Sequence, residues 1–341
     1  MAQSPKKQSP KKPASTRPGR KKQTQNARSR SQAARQGRPG GRRPGPVAVR
    51  PATLGDWIGG ARLRTLPLAI APVALGTGAA HVIGEEVWHE YRIALCLIVA
   101  LALQIGVNYA NDYSDGIRGT DAFRVGPSRL TGSGRARPRT VLTVALVFFA
   151  IAAAAGLTLV VLSQQWWLLA VGAVAIAAAW FYTGGKRPYG YAGLGELFVF
   201  VFFGVVATSG STFVQVGQVN LESWAGGVGA GLLACAVLMV NNIRDRAQDA
   251  LAGKRTLAVR LGERASRVSF AVLVLLPFVV VALFTVLYPN ALYVLFGLLA
   301  AIPAAVITLT ARTPRELIWA LQLTSLTALA YGVGLGAAIA F

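Results

Sequence analysis

Two short polar clusters, each directly behind a long apolar run, carry the residues in this chain that are best suited to chemistry. The first reads NYANDYSDGIRGTD, from Asn108 to Asp121, and follows ALCLIVALALQIGV. The second reads NNIRDRAQD, from Asn241 to Asp249, and follows ACAVLMV. Both clusters are rich in carboxylate and amide groups, which are oxygen ligands for cations.

The spacing of the acidic residues predicts a row of oxygen ligands on each of two helices. Asp112 and Asp115 are three residues apart and Asp245 and Asp249 are four apart, so each pair shares one helix face. Carboxylates held side by side away from water need cations to stay ionised. Neither cluster contains His or Cys, which favours a hard ion, above all Mg²⁺.

Magnesium in proteins takes few carboxylate ligands and completes its shell with water and phosphate oxygens. Two facing carboxylate rows therefore predict a site for a bound polyphosphate. Nearby basic residues suit phosphate binding, namely Lys186 in YTGGKRP and Lys254 and Arg255 in AGKRTLAVRLG. Each of these bases has an equally good alternative interpretation, since basic loop residues also set membrane topology. For the clusters themselves the alternative is an ordinary solvated loop, and their matched spacing argues against it.

The composition indicates an all-α, polytopic membrane protein. Of the 341 residues 53% are hydrophobic and 14% are charged, whereas soluble proteins carry about 25% charged residues. Apolar stretches of roughly 20 residues, the length that crosses a bilayer, recur along the chain. The two cysteines, Cys96 and Cys235, lie inside apolar runs and are interpreted as packing residues.

We predict nine transmembrane helices, with the N-terminus in the cytoplasm. Arginine and lysine concentrate in the loops after the second, fourth, sixth and eighth spans, and the positive-inside rule places these loops in the cytoplasm. Both acidic clusters follow even-numbered spans, so both lie on the cytoplasmic side. The predicted spans are 66–83, 91–112, 140–162, 166–183, 196–217, 223–243, 268–288, 291–311 and 319–340.

The first 50 residues differ from the rest of the chain. They hold 15 of the 35 Lys and Arg residues and none of the 13 acidic residues. We predict a disordered basic tail over 1–50 and a membrane domain over 51–341. An organelle transit peptide is disfavoured because no apolar face repeats, and nucleic-acid binding is disfavoured because no aromatic residue is present to stack bases. The remaining interpretation is a tail held near anionic membrane lipid.

Several segments together resemble the UbiA-type intramembrane prenyltransferases, over about residues 60–341. Within that family they are most similar to the branch that prenylates 1,4-dihydroxy-2-naphthoate for menaquinone biosynthesis. The resemblance implies a bundle of transmembrane helices around a central cavity, in the bacterial cytoplasmic membrane, with the active site on the cytoplasmic side. The segments are RLRTLPLAIAPVALGTG, NDYSDGIRGTD, VGPSRLTGSG, YTGGKRPYGYAGLGEL and NNIRDRAQDALAGKRTLAVRLG.

The family's first motif is N-D-x-x-D-x-x-x-D, and this chain departs from it at the last position, where Gly119 stands and the nearest carboxylate is Asp121. The second motif matches at all its positions. The resemblance implies metal ligation by Asp112, Asp115, Asp121, Asp245 and Asp249, with Lys186 as a further catalytic residue. It implies diphosphate binding by Asn111, Asn242, Lys186, Lys254 and Arg255. Candidates for binding the aromatic acceptor are Tyr182 and Arg64, with Arg62 beside it, although Tyr182 is more typical of an interfacial tyrosine.

The implied reaction moves a polyprenyl group from polyprenyl diphosphate to dihydroxynaphthoate, with loss of diphosphate and carbon dioxide. Other acceptors of the family, such as 4-hydroxybenzoate or homogentisate, would share the same metal site. A cation-coupled transporter is the alternative from another class. It is disfavoured because its acidic residues would lie near the bilayer midplane, whereas these lie at the cytoplasmic ends of spans.

Overall fold

The computed structural model describes residues 50–84, 89–120 and 129–341, which belong to one compact unit, Val49–Phe341. Within these ranges the chain is helical and contains no strand. Asp121 and the predicted basic tail, except for Arg50, lie outside the described residues. In chain order the helices are α1 Leu54–Gly60, α2 Pro67–Ile83, α3 Glu90–Ile117, α4 Pro138–Ser163, α5 Leu168–Phe181, α6 Gly195–Val216, α7 Leu221–Leu251, α8 Leu257–Phe284, α9 Pro289–Thr310 and α10 Glu316–Ala340.

Seven of these helices, α3, α4 and α6 to α10, are long and apolar enough to cross a membrane. An eighth span results if α1 and α2, which meet at a 45° bend, are taken together. The remaining predicted span, 166–183, coincides with α5, a shorter apolar helix of 14 residues. The prediction of an all-α, multi-pass membrane protein is therefore confirmed, and the count of nine stays a prediction.

The helices around α2 approach so closely that only glycine fits at the contacts. A Cβ atom placed on Gly78 would lie 2.0 Å from the carbonyl oxygen of Gly336 in α10, and one on Gly76 would lie 2.2 Å from that of Thr208 in α6. Gly332 meets Ala71 in the same way. Such close backbone contact replaces the hydrophobic driving force that is missing between helices in lipid.

Two glycines with positive φ end the helices that carry the acidic clusters. Gly119 (φ 69°) follows α3 and Gly253 (φ 75°) follows α7. A Cβ atom added to either glycine would have no atom within 4 Å, so space is not the reason for glycine here. The reason is the left-handed backbone conformation, which residues with a side chain rarely adopt. After Gly253 the backbone N–H of Lys254 donates to the carbonyl of Asp249 at 2.8 Å, so the chain folds back over the end of α7.

The first cluster is held against α1 by polar contacts inside the bundle. The side-chain amide of Asn108 donates to the carbonyl of Ala61 at 2.9 Å, and the hydroxyl of Tyr109 donates to that of Trp57 at 2.6 Å. Between α1 and α2, Arg62 adopts φ 54° and ψ 57°, which is uncommon for a residue with a side chain. The bend thus places the α1–α2 junction next to the last turns of α3.

Candidate functional site

The four described aspartates of the two motifs are buried. Asp112 is 1% exposed and Asp115 3% in α3, while Asp245 is 2% exposed and Asp249 8% in α7. Carboxylates in solvated loops are not buried to this degree, since burial of an unpaired charge costs several kcal/mol. The solvated-loop interpretation therefore fails for all four, and each must have charged or hydrogen-bonding partners.

One lysine connects the two motifs. The ammonium nitrogen of Lys254 lies 3.2 Å from Oδ1 of Asp115 and 3.9 Å from Oδ1 of Asp249. Its side chain is 7% exposed, although it belongs to a loop. The carboxylates of α3 and α7 thus lie close enough to share one cation, and both motifs face the same place.

Tyr191 completes this arrangement, although it was not predicted as a site residue from the sequence. Its hydroxyl donates a hydrogen bond to Oδ1 of Asp115. The ring centroid lies 4.6 Å from Nζ of Lys254 and 5.5 Å from Cζ of Arg118, which are cation–π distances. Burial, reinforced by the charge of Asp115, raises the pKa of Tyr191, so its hydroxyl keeps the proton that it donates. The available signal was its place in YTGGKRPYGYAGLGEL, a polar loop between two apolar helices.

Asp112 holds a neighbouring loop. Its two carboxylate oxygens accept hydrogen bonds from the backbone N–H groups of Leu130, at 2.9 Å, and Thr131, at 2.8 Å. In the same loop, Arg129 reaches to within 4.0 Å of Oδ2 of Asp115. Carboxylate oxygens have further lone pairs, so this anchoring leaves room for a ligand role. Asp112 therefore shapes the site whether or not it binds a cation.

Asp245 is paired with its neighbour in the chain. Nε and Nη2 of Arg244 contact the two carboxylate oxygens of Asp245 at 2.9 and 2.8 Å. The side chain of Arg244 is only 11% exposed, so this bidentate pair is formed largely away from water. Such a pair keeps a buried carboxylate ionised and fixes its orientation.

The other predicted site residues are placed as follows. Asn111 accepts a hydrogen bond from the hydroxyl of Thr183 at 2.6 Å, and Asn242 donates one to Glu196 at 2.9 Å. The ring of Tyr182 packs edge-on against Tyr189, 5.6 Å between centroids. Three predicted basic residues, Lys186, Arg255 and Arg64, have exposed side chains.

Arg118 orients the segment that carries Lys186. Its guanidinium donates to the backbone carbonyls of Thr183 and Gly185 and lies over the Tyr191 ring. From the sequence, Arg118 counted only as one of the basic residues that place this loop in the cytoplasm. In the structure Arg118 fixes the segment 183–185, directly before Lys186, against the end of α3.

In the described ranges no three Asp, Glu, His or Cys side chains converge closely enough to hold a metal ion by themselves. The donor set still fits Mg²⁺, because it consists of buried oxygen ligands from two helices. A cation that takes one or two carboxylates and completes its shell with water and phosphate oxygens does not require a closed protein cage. The basic groups of Lys254, Arg129 and Arg118 at the same place suit the phosphate.

Residues 69–327 match the UbiA prenyltransferase family. Among proteins of similar sequence, 1,4-dihydroxy-2-naphthoate octaprenyltransferase of Mycobacterium tuberculosis is 49% identical over 85% of this chain and 98% of its own length. The enzyme of the same name from Escherichia coli is 38% identical over 72% of this chain and 81% of its own length.

Solved structures share the fold at low sequence identity. An apo UbiA homologue from Aeropyrum pernix superposes with a TM-score of 0.60 at 15% identity, covering 83% of this chain and 98% of its own. A UbiA homologue from Archaeoglobus fulgidus, solved with GPP and Mg²⁺, superposes with a TM-score of 0.57 at 15% identity, covering 83% of this chain and 99% of its own.

Proposed function

Because this chain belongs to the UbiA prenyltransferase family, we propose that it transfers a polyprenyl group from polyprenyl diphosphate to 1,4-dihydroxy-2-naphthoate. The products are diphosphate, carbon dioxide and the prenylated naphthalenediol, which is the reduced form of demethylmenaquinone. The single observation that carries the proposal is the contact of Lys254 with both Asp115 and Asp249. It supports one headgroup site built from both motifs.

The buried carboxylates supply negative charge that divalent cations complement, and the bases supply positive charge for phosphate oxygens. We assign metal binding to Asp115, Asp245 and Asp249, with Asp112 as a ligand that also anchors its loop. Mg²⁺, when bound, supplies the positive charge that stabilises a departing diphosphate. Asp121 keeps its proposed ligand role from the motif. We assign diphosphate binding to Lys186, Lys254, Arg255, Asn111 and Asn242, and acceptor binding to Tyr182 and Arg64.

In the proposed reaction the allylic C–O bond breaks, and its electron pair leaves with the diphosphate. The electron-rich ring then forms a C–C bond to the allylic carbon. The ring carboxylate departs as carbon dioxide, and the electrons of that bond return to the ring. Lys254, fixed by Tyr191 and Asp115, is preorganised to neutralise the leaving oxygen. The apolar helices keep water away from the allylic cation.

We further propose the membrane arrangement in which the reaction takes place. Nine spans in the bacterial cytoplasmic membrane, with the N-terminus and the site on the cytoplasmic side, agree with the charge pattern of the loops. The tail of residues 1–50 would lie near the anionic inner leaflet without being needed for prenyl transfer. Removal of residues 1–45 should therefore leave the activity largely intact.

The test is an acceptor competition with the purified full-length protein in liposomes. One polyprenyl diphosphate is offered with dihydroxynaphthoate, 4-hydroxybenzoate and homogentisate together, with Mg²⁺ or with EDTA. We expect prenylated naphthalenediol as the main product and no product in EDTA. Turnover of hydroxybenzoate without dihydroxynaphthoate would overturn the acceptor assignment. Solute uptake without Mg²⁺ and without prenyl transfer would favour a transporter instead.

A further inference from the structure

Glu196 is a buried carboxylate that none of the roles above uses. It is the second residue of α6 and is 8% exposed. Its Oε1 accepts a hydrogen bond from Nδ2 of Asn242 at 2.9 Å, across 46 positions of sequence. Its backbone carbonyl accepts a hydrogen bond from the thiol of Cys235 at 3.1 Å. Glu196 is thus fixed against α7 at both ends, next to the second motif.

The contact with Glu196 decides which way the amide of Asn242 points. A side-chain amide carries two donor hydrogens on nitrogen and an acceptor oxygen on the other side. Because the nitrogen is turned to Glu196, the oxygen Oδ1 is turned away from it. Asn242 precedes Asp245 by three residues and Asp249 by seven, so all three side chains lie on one face of α7.

The asparagine of the first motif is fixed in the opposite sense. Oδ1 of Asn111 accepts a hydrogen bond from the hydroxyl of Thr183 at 2.6 Å, and both residues are buried. Asn111 therefore has its oxygen engaged and its NH₂ group left to donate. The two motif asparagines, which look equivalent in sequence, offer opposite groups to the site.

We propose that Glu196 is a positioning residue that turns the carbonyl oxygen of Asn242 toward Asp245 and Asp249, where it serves as an oxygen donor for a divalent cation instead of as the diphosphate donor assigned to it above. Asn111, with its NH₂ group presented, serves as a donor to diphosphate oxygens. An amide oxygen suits a hard cation, whereas an NH₂ group in its place repels one. The inference rests on the proposed function only for the identity of the cation and the diphosphate.

Carboxylate-for-amide exchanges at Glu196 and Asn242 test the proposal on the full-length protein in detergent. Mn²⁺ alone is the probe, and its free fraction is measured by electron paramagnetic resonance. Glu196→Gln leaves a side chain that pairs with either orientation of the Asn242 amide, so we expect the Kd for Mn²⁺ to rise about tenfold. In the double variant with Glu196→Gln and Asn242→Asp, the glutamine donates to one carboxylate oxygen and the other oxygen faces the site. Its Kd should return to within about threefold of the wild-type value.

Thr183→Val is the matched control, because it releases the amide of Asn111 rather than that of Asn242. Its Kd for Mn²⁺ should stay at the wild-type value. A purely structural role of Glu196 would lower the melting temperature of Glu196→Gln without changing its Kd, and that result would overturn the proposal. If the single variant does not fold, the double variant decides, and weak Mn²⁺ binding by the folded double variant overturns the proposal as well.

The failure of this inference can be told apart from the failure of the proposed function. A wild-type protein that binds Mn²⁺ but prenylates no naphthoate would refute the proposed function. The expected order of the Kd values for Mn²⁺ among the Glu196 variants would be unaffected by that result. A wild-type protein without Mn²⁺ affinity would overturn the positioning role itself.

Discussion

Tyr191 donates its hydroxyl hydrogen to Oδ1 of Asp115, the same oxygen that the Lys254 ammonium contacts. The tyrosine belongs to the loop between α5 and α6, the aspartate to α3 and the lysine to the loop after α7. Three distant segments therefore meet on one carboxylate oxygen. The backbone N–H of Arg255 also donates to the carbonyl of Tyr191 at 2.9 Å, which ties the loop after α7 to the same tyrosine.

Tyr191→Phe should lower kcat for prenyl transfer by about tenfold or more, because a hydrogen bond to a charged group contributes about 1.5–3 kcal/mol. The ring stays in place, so its contacts with Lys254 and Arg118 should persist and the protein should remain folded. Because burial raises the pKa of Tyr191, the wild-type hydroxyl does not ionise near neutral pH. The measurement is kcat at saturating prenyl diphosphate.

Tyr189→Phe is the matched control for this variant. Its hydroxyl donates to the backbone carbonyl of Ala178 at 2.8 Å and contacts no motif residue among those the structure describes. Removal of that hydroxyl should leave kcat within about twofold of the wild-type value. Equal losses in Tyr189→Phe and Tyr191→Phe would show that the bond to Asp115 has no special part in the reaction.

Lys254→Met should lower both the stability and the activity of the protein more than Lys186→Met does. Lys254 is buried between Asp115 and Asp249, and removal of one partner from such a pair costs about 3–5 kcal/mol. Both the melting temperature and kcat/KM should fall. Lys186 is exposed, so its variant should raise the KM for the prenyl diphosphate without a change in melting temperature. A larger loss of stability in Lys186→Met would contradict the central place given to Lys254.

Asp112→Asn and Asp245→Asn should both lose most activity and some stability, since each removes a charge from buried contacts, but only the first should loosen the loop that begins at Arg129. Asn has one carbonyl oxygen, so it cannot accept from both backbone N–H groups that Asp112 binds, and an unsatisfied buried N–H costs about 1–3 kcal/mol. Limited proteolysis near residues 129–134 should distinguish the two variants. Equal cleavage of this loop in both would show that Asp112 does not anchor it, and full activity in both would refute the site.

The acidic rows could be predicted from sequence because both depend on local properties. The first row is recognised from its residue types, from the helical spacing of Asp112 and Asp115, and from the apolar run that precedes them. All of these are properties of one short segment of sequence. The prediction for α8 was less complete. Its span was predicted from 268, whereas helical residues begin at Leu257, are interrupted at Gly262 (φ 78°, ψ 179°) and then continue to Phe284. Arginines such as Arg260 and Arg264 made this stretch look like a loop, although long basic side chains can extend from a helix end to the interface.

The central position of Lys254 could not be predicted, because it depends on the path of a loop. The left-handed turn at Gly253 directs the chain back, and that conformation decides that Lys254 rather than Lys186 is buried between the motifs. Tyr191 was missed for the same reason, since its partners come from α3 and from the loop after α7. The different orientations of Asn111 and Asn242 depend on Thr183 and Glu196, which no spacing rule connects to them.

Close packing of α2 against α10 should control the stability of the whole bundle. Gly78→Ala would place a methyl group 2.0 Å from the carbonyl oxygen of Gly336, so the two helices must move apart. Overpacking of this kind costs about 1–3 kcal/mol and should lower the melting temperature in detergent. Gly172→Ala in α5 is the matched control, because nothing lies within 4 Å of the added carbon. Unchanged melting in Gly78→Ala would mean that this contact does not hold the two helices together in the membrane.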